Sequence, residues 1–139
     1  MRELPDNVRR LLNGPNYCHL ATLAADGAPH VTPVWVAARG GHVVFYTQTT
    51  SVKARNIDRD GRVALSILDH EDPYRSATIR GRVVARETGA EPMRTLQEMA
   101  LRYTGKGYVP GAHGALFVIE PESVSYTVLP LKHRAAGGK

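Results

Sequence analysis

Apolar and polar residues alternate through the early part of the chain, which is the pattern of half-buried β-strands. The alternation predicts an antiparallel meander whose strands are separated by the turn residues Asp26-Gly27 and Gly40-Gly41. The predicted strands cover residues 17–24, 29–38 and 42–48. A short amphipathic helix is predicted before them at residues 6–13, introduced by Pro5 and ended by Gly14.

The rest of the chain repeats short apolar strands with two helical segments between them. Helices are predicted at residues 51–59 and 91–103, and strands at 62–68, 74–87, 115–119 and 123–128, the last two joined through Pro121. Six or seven short strands with two or three helices favour a sheet that closes on itself, because closure removes exposed edges. We therefore expect an α+β fold, mainly antiparallel β, built as a small barrel with a frayed tail at residues 130–139.

Composition narrows the class of protein. With 139 residues and 42% hydrophobic residues, the chain is predicted to form one domain over residues 1–139. It contains no apolar stretch long enough for a membrane helix and no secretion signal at its start, which predicts a cytoplasmic protein with no membrane partner. The single cysteine, Cys18, lies in a strand pattern and is expected to be buried.

The net charge of +5 raises the question of a nucleic-acid partner. Arg80, Arg82 and Arg86 share parity on a predicted strand and would line one face of it. Only two Phe and one Trp are available for stacking on bases, so a solvated face is favoured over a nucleic-acid groove. The six histidines form no metal-ligand spacing, and no metal site is expected.

Residues 43–56 are the most informative segment for chemistry. A half-apolar strand runs into a hydroxyl-rich turn, and a helix start follows that carries Ser51, Lys53 and Arg55. Unpaired N–H groups and the positive end of a helix dipole favour an anion at such a position. The segment therefore predicts a phosphate-binding corner. The alternative is that Ser51 is an ordinary N-cap and the two cations are solvated.

Several motifs, in order along the chain, resemble the pyridoxamine-phosphate-oxidase-like superfamily of flavin and deazaflavin split barrels. They are His19-Leu20-Ala21-Thr22-Leu23, Asp26-Gly27-x-Pro29-His30-Val31, Pro33-Val34-Trp35, Val44-Phe45-Tyr46-Thr47, Ser51-x-Lys53-Ala54-x-Asn56, Asp60-x-Arg62-Val63-Ala64-Leu65, Pro73-Tyr74-Arg75, Ile79-Arg80-Gly81-Arg82-Val83, Arg102-Tyr103-Thr104-Gly105 and Ile119-x-Pro121-x-Ser123-Val124. The resemblance covers most of the chain. Its specificity comes from the order and spacing of these motifs together.

The resemblance implies a split β-barrel homodimer with two cofactors at the subunit interface. The cofactor phosphate would be held by Ser51 and Lys53, with Arg55 and Asn56 as further contributors. The ring would lie along two strand segments, formed by Thr32, Pro33, Val34 and Trp35 and by Tyr46, Thr47, Gln48 and Thr49. Tyr74 and Arg75 would be contributed by the partner subunit.

One departure from the family pattern bears on the cofactor. The pyridoxamine-phosphate oxidases carry an Arg and a Lys on the second strand that help to hold flavin mononucleotide (FMN), whereas residues 31–36 contain no cation. The resemblance therefore favours the branch that uses the deazaflavin coenzyme F-420. It implies an oxidoreductase that transfers a hydride to an electron-poor small molecule such as an enone, a quinone or a tetrapyrrole. No catalytic side chain is singled out.

Two alternatives remain at this stage. The first is an FMN-binding flavoprotein of the pyridoxamine-phosphate-oxidase type. The second is a barrel that carries a cofactor without turnover, or a basic barrel that binds nucleic acid through its arginine-bearing strand.

Overall fold

Helices and strands follow one another along residues 3–134, the part of the chain that this computed structural model describes. The helices are α1 (Asp6–Asn13), α2 (Val52–Arg59) and α3 (Ala90–Thr104). The strands are β1 (Cys18–Leu23), β2 (Pro29–Val34), β3 (Val36–Arg39), β4 (His42–Gln48), β5 (Arg62–Leu68), β6 (Arg75–Glu87) and β7 (Gly114–Val128). The predicted elements are all present, with two corrections to the strands.

The first correction concerns the strand predicted at residues 29–38, which is interrupted at Trp35. Residues up to Val34 pair with β1, whereas residues from Val36 onward pair with β4. The strand order in the single sheet is β2-β1-β5-β6-β7-β4-β3, so β2 and β3 lie at opposite edges. Because only Trp35 separates them, the sheet must curl until its edges meet. The result is the split β-barrel that the resemblance implied.

The second correction concerns the two strands predicted at 115–119 and 123–128. They form one continuous strand, β7, which pairs with β6 along almost its whole length. Proline is tolerated inside it because the register shifts beside Pro121, which lies opposite Gly81. A proline cannot donate to a regular ladder but is compatible with a bulge.

The barrel interior is closed and apolar. The rings of Phe45 and Phe117 stack at its centre, with centroids 5.2 Å apart. α1 and α2 close it with Val8, Leu11, Leu12, Ala54 and Ile57, all of which belong to the same buried cluster. Cys18 is also buried in this cluster, as predicted, and burial raises the pKa of its thiol to about 12.

The outer surface of the sheet differs between its two halves. On β3, β4 and β7 it is covered by α3, which packs Leu96 and Met99 into a second apolar cluster. On β1, β2 and β5 apolar side chains remain accessible: Val31 is 58% exposed and Leu68 is 44% exposed. A groove of about 590 Å³ runs from Ala21 of β1 across β5 and β6 to Ser123 of β7. One half of the sheet therefore has its cover within the chain and the other does not.

The predicted row of three arginines on one face of β6 is wrong. The register shifts between Val83 and Ala85, so that Arg86 lies opposite Phe117, a residue of the interior cluster. Its guanidinium lies 4.7 Å from the centroid of that ring and forms an ion pair with Asp58 of α2. Because a bulge reverses the facing of the residues beyond it, Arg86 is separated from Arg80 and Arg82.

Residues 130–134 form no helix or strand and are exposed, and the rest of the tail predicted to be frayed, residues 135–139, lies outside the described residues. Among residues 3–134, no helix is long and apolar enough to cross a membrane.

Candidate functional site

A cleft of about 410 Å³ opens where the barrel is split, between the ends of β2 and β4 and the start of α2. It brings together many of the residues predicted to bind the cofactor ring and phosphate. These are Pro33, Val34, Trp35, Tyr46, Thr47, Gln48 and Lys53. Residues far apart in the sequence thus meet in one cleft because the break at Trp35 places the end of β2 beside the end of β4.

The corner between β4 and α2 is organised around Ser51. Its Oγ accepts a hydrogen bond from the Ala54 N–H at 3.2 Å and lies 3.2 Å from the Thr47 hydroxyl, which donates to it. Its own N–H donates to the Gln48 carbonyl at 3.0 Å. Ser51 is therefore an N-cap that fixes the start of the helix next to the cleft. The N–H groups of the first two helical residues have no partner within a helix.

Lys53 supplies the positive charge in the cleft. Its side chain is half-buried, and within residues 3–134 no carboxylate lies within 4 Å of its ammonium group. Burial lowers its pKa, because removing the ammonium from water disfavours the charged form. A desolvated cation without a counter-charge is stabilised by an anionic ligand.

The other two residues predicted at the phosphate are placed differently. Asn56 is 3% exposed, and its amide donates to Thr22 Oγ1 at 3.0 Å and accepts from Arg59. Arg55 is exposed on α2. Neither side chain lines the cleft, and the polar groups of Asn56 are occupied by contacts within the chain.

Two threonines predicted along the ring lie beside the cleft. Thr32 has a buried hydroxyl oxygen with no hydrogen-bond partner in the described chain. It shares the inner side of β2 with Val34, which does line the cleft. Thr49 lines an adjoining cavity of about 630 Å³, which has Tyr46 in common with the cleft. Thr32 itself does not line the cleft, so its assignment to the cofactor ring stays a prediction.

Tyr46 forms the partition between the cleft and this adjoining cavity. Its ring lies over Gly114 of β7, in the space that a Cβ atom at this position would need. Burial is the main cause that raises the pKa of Tyr46, and the nearby Tyr108 adds to it. The Tyr46 hydroxyl is therefore protonated at neutral pH. A glycine at position 114 therefore allows the Tyr46 ring to lie flat against the sheet.

Tyr74 and Arg75 do not reach the cleft of their own chain. Arg75 lines a separate cavity together with residues of α1, and its guanidinium lies 3.2 Å from the Asp72 carboxylate. The Tyr74 ring lies against His133, with centroids 6.3 Å apart. Their assignment to the cofactor of a partner subunit stays a prediction.

The cleft has an aromatic wall of which only Trp35 was predicted from the sequence. Trp35 stacks on Tyr103 with ring centroids 5.5 Å apart and meets the edge of Tyr108 at 5.6 Å. Tyr17, which is 62% exposed, lines the same cleft, and its ring lies 6.0 Å from that of Tyr103. The Tyr103 hydroxyl donates to the Asn16 carbonyl at 2.8 Å. The wall favours a flat, apolar ligand surface.

The sequence contains only an indirect signal for this wall. Tyr103 falls on the apolar side of the predicted helix at 91–103 and within one of the motifs of the resemblance. Tyr108 lies in a glycine-rich loop after that helix, and its conformation depends on contacts with distant residues.

A curled antiparallel sheet with a partly polar cleft at its split places this chain in the class of split-barrel proteins. Residues 4–128 match the family described as pyridoxamine 5'-phosphate oxidase. The chain belongs to this family, as its sequence motifs indicated. No curated protein shows significant sequence similarity to it.

Solved structures agree with this membership. An F420 reductase is 32% identical to the chain, with a TM-score of 0.76, and the match covers 88% of this chain and 98% of that one. A conserved hypothetical protein from Mycobacterium tuberculosis is 23% identical, with a TM-score of 0.73 and coverage of 99% and 98%. General Stress Protein 26 from Bacillus anthracis is 15% identical, with a TM-score of 0.71 and coverage of 88% and 92%. The last two likenesses concern the fold alone.

Proposed function

We propose that this protein is an oxidoreductase that binds the deazaflavin coenzyme F-420 and transfers a hydride to an electron-poor small molecule of the enone, quinone or tetrapyrrole type. The observation that carries the proposal is the half-buried, unpaired Lys53, which lies in the cleft beside the start of α2. The absence of a cation from residues 31–36 and the likeness to an F420 reductase support the deazaflavin.

The residues of the cleft fit a phosphate-bearing, flat cofactor. Lys53 and the first N–H groups of α2 offer positive charge to the phosphate. Trp35 offers a flat apolar surface to the ring. The bound cofactor supplies the hydride chemistry, whereas the protein supplies binding and orientation.

The side chains of the cleft act by position. Trp35 and Tyr46 form two sides of the cleft and would orient a bound ring, and orientation of two reactants is itself a large source of acceleration. Tyr46 is held protonated between the cleft and the adjoining cavity. Its hydroxyl can donate a proton to an acceptor that has received a hydride.

FMN is the second candidate cofactor, because the matching family is that of pyridoxamine 5'-phosphate oxidase. Both cofactors would use the same corner and the same aromatic surface. The test is a side-by-side titration of cofactor-free protein with coenzyme F-420 and with FMN, followed by quenching of the single tryptophan, Trp35. Tighter binding of the deazaflavin is expected. Tighter binding of FMN would instead make FMN the proposed cofactor. If neither cofactor binds, the proposed function is wrong.

The proposed assembly is a homodimer with the cofactor at the interface. The uncovered outer face of β1, β2 and β5 offers an apolar surface, including Leu68, to a second copy. Light scattering should give a dimer for the unchanged protein and a monomer for Leu68→Asp, because a charge at an apolar interface is costly. Leu101→Asp is the matched control, since Leu101 is 55% exposed on α3, on the half of the sheet that is already covered. A monomeric unchanged protein would contradict the assembly.

A further inference from the structure

The loop at residues 105–113 forms one side of the cleft but has no helix or strand of its own. It contributes Tyr108, whose ring meets Trp35 edge-on at 5.6 Å. The loop is exposed on its outer side, where Val109 is 92% exposed. Some other part of the molecule must therefore hold Tyr108 in place.

Gln97 of α3 provides this support. Its side-chain amide donates to the Tyr108 carbonyl at 2.6 Å and accepts from the Tyr108 N–H at 2.9 Å. Both main-chain groups of Tyr108 are thus bound by one side chain. The preceding Gly107 allows the approach, because a Cβ atom there would lie 3.0 Å from Gln97 Oε1.

A second glutamine holds the other end of the loop. Gln48, which lines the cleft, accepts a hydrogen bond from the His113 N–H at 3.0 Å. The neighbouring Thr49 N–H donates to the His113 carbonyl at 2.8 Å. Between residues 108 and 113 the loop is therefore attached at both ends, once to α3 and once to the end of β4.

We propose that Gln97 is a positioning residue for the cleft: by binding the main chain of Tyr108 it holds the Tyr108 ring edge-on against Trp35, and so determines how much of the Trp35 ring is left open to a ligand. Gln97 does not line the cleft itself and acts through Tyr108. The ligand-binding part of this proposal rests on the proposed function, whereas the placement of Tyr108 does not.

The first test is Gln97→Glu, which has nearly the same shape but replaces the amide donor with a carboxylate that repels the Tyr108 carbonyl. We expect a weaker edge contact, seen as a red shift of Trp35 emission and stronger quenching of it by acrylamide in the ligand-free protein. Glu98→Gln is the matched control, because it is the reverse substitution at an exposed neighbouring position on the same helix. Emission and quenching that match the unchanged protein would overturn the placement role.

The second test measures ligand binding in a double-mutant cycle with Tyr108→Ala. Gln97→Glu alone should raise the dissociation constant of the bound cofactor about threefold to tenfold, the equivalent of one lost hydrogen bond. In the Tyr108→Ala background, which keeps the main-chain contacts but lacks the ring, Gln97→Glu should change neither affinity nor Trp35 emission. Equal effects of Gln97→Glu in both backgrounds would overturn the proposal, since Gln97 would then act independently of Tyr108.

The two proposals fail in different ways. If neither coenzyme F-420 nor FMN binds the unchanged protein, the proposed function fails, and the Trp35 emission of the four proteins of the cycle still decides the role of Gln97. If a cofactor binds equally well to all of them, the proposed function stands and the ligand-binding part of the proposal for Gln97 is wrong, whereas Trp35 emission decides whether Gln97 places Tyr108.

Discussion

Phe45 and Tyr46 are neighbours on β4, yet they meet different surroundings. Phe45 points into the barrel, where its ring is fully buried and stacks on Phe117. Tyr46 points to the opposite face, where its ring is partly exposed and borders two cavities. One strand therefore serves two purposes: its inner side fills a closed core, whereas the other side and the end of the strand leave space for a ligand.

The same contrast holds for polar groups. Thr22 and Asn56, which are buried toward the barrel end, bind each other at 3.0 Å. By contrast, Lys53 at the cleft has no carboxylate within 4 Å among residues 3–134. A half-buried cation without a counter-charge costs stability, so the presence of Lys53 at the cleft is better explained by a ligand than by folding. Substitutions in the interior should therefore change stability, whereas substitutions at the cleft should change ligand binding.

The largest expected effect is on the interior. Phe117→Ala removes one of two stacked rings from the centre of the barrel and should lower the free energy of unfolding by about 3–5 kcal/mol. Urea denaturation measures the loss. Tyr46→Phe, which keeps the ring but removes a hydroxyl at the cleft, should change stability much less. Similar losses for both variants would show that core and cleft are not energetically distinct.

Lys53→Ala, in contrast to Phe117→Ala, should weaken cofactor binding and leave folding stability unchanged. Removing the cation should weaken cofactor binding by about 1.5–3 kcal/mol, the size of a charged hydrogen bond. Isothermal titration measures the affinity, and the melting temperature of the ligand-free protein should not fall. Arg55→Ala provides the comparison, because Arg55 is exposed outside the cleft and should matter less. Unchanged affinity in Lys53→Ala would remove its phosphate role.

Asn56→Ala tests whether a residue predicted at the phosphate belongs to the interior. It leaves the buried Thr22 hydroxyl without its partner and should cost about 1–3 kcal/mol of unfolding free energy. Cofactor affinity should stay within a small factor of the unchanged protein when measured well below the melting temperature. A loss of affinity as large as that of Lys53→Ala would place Asn56 at the phosphate after all.

Lys53→Arg should have the smallest effect on cofactor affinity at neutral pH. Burial lowers the pKa of Lys53, so its charge is lost at a lower pH than that of an exposed lysine. Affinity for a phosphate-bearing cofactor should therefore decline in the alkaline range, earlier than for an exposed lysine. Arginine stays charged there and should abolish the decline. An identical pH profile for both proteins would exclude Lys53 as the titrating group.

The sequence predicted the elements of the fold well because each follows from a local pattern and its turn residues. The break at Trp35 was missed because the alternation of side chains continues across it, and only the pairing partners change. The reversed facing of Arg86 was missed for a related reason. A bulge adds one residue on one strand and leaves no mark in the pattern of that strand.

For the site, Trp35, which was assigned through the family resemblance, and Tyr46 and Lys53, which lie in the segment 43–56, do line one cleft. Their binding of a cofactor stays a prediction. Asn56 was assigned to the phosphate through the family resemblance, yet its side-chain amide binds Thr22 of β1. Tyr108 could not be foreseen, since its position depends on an amide contributed by Gln97, eleven residues earlier on α3.

The position of β7 between β6 and β4 has a consequence for how the chain folds. β7 pairs with β6 on one side and with β4 on the other, and it comes after both in the sequence. The hairpins β1–β2 and β3–β4 need only local contacts, whereas the two parts of the sheet stay separate until β7 joins them. During synthesis on a ribosome, the barrel can therefore close only after its seventh strand has emerged. Closure should be the slow step of refolding as well, because pairing between distant segments carries the largest loop-closure cost.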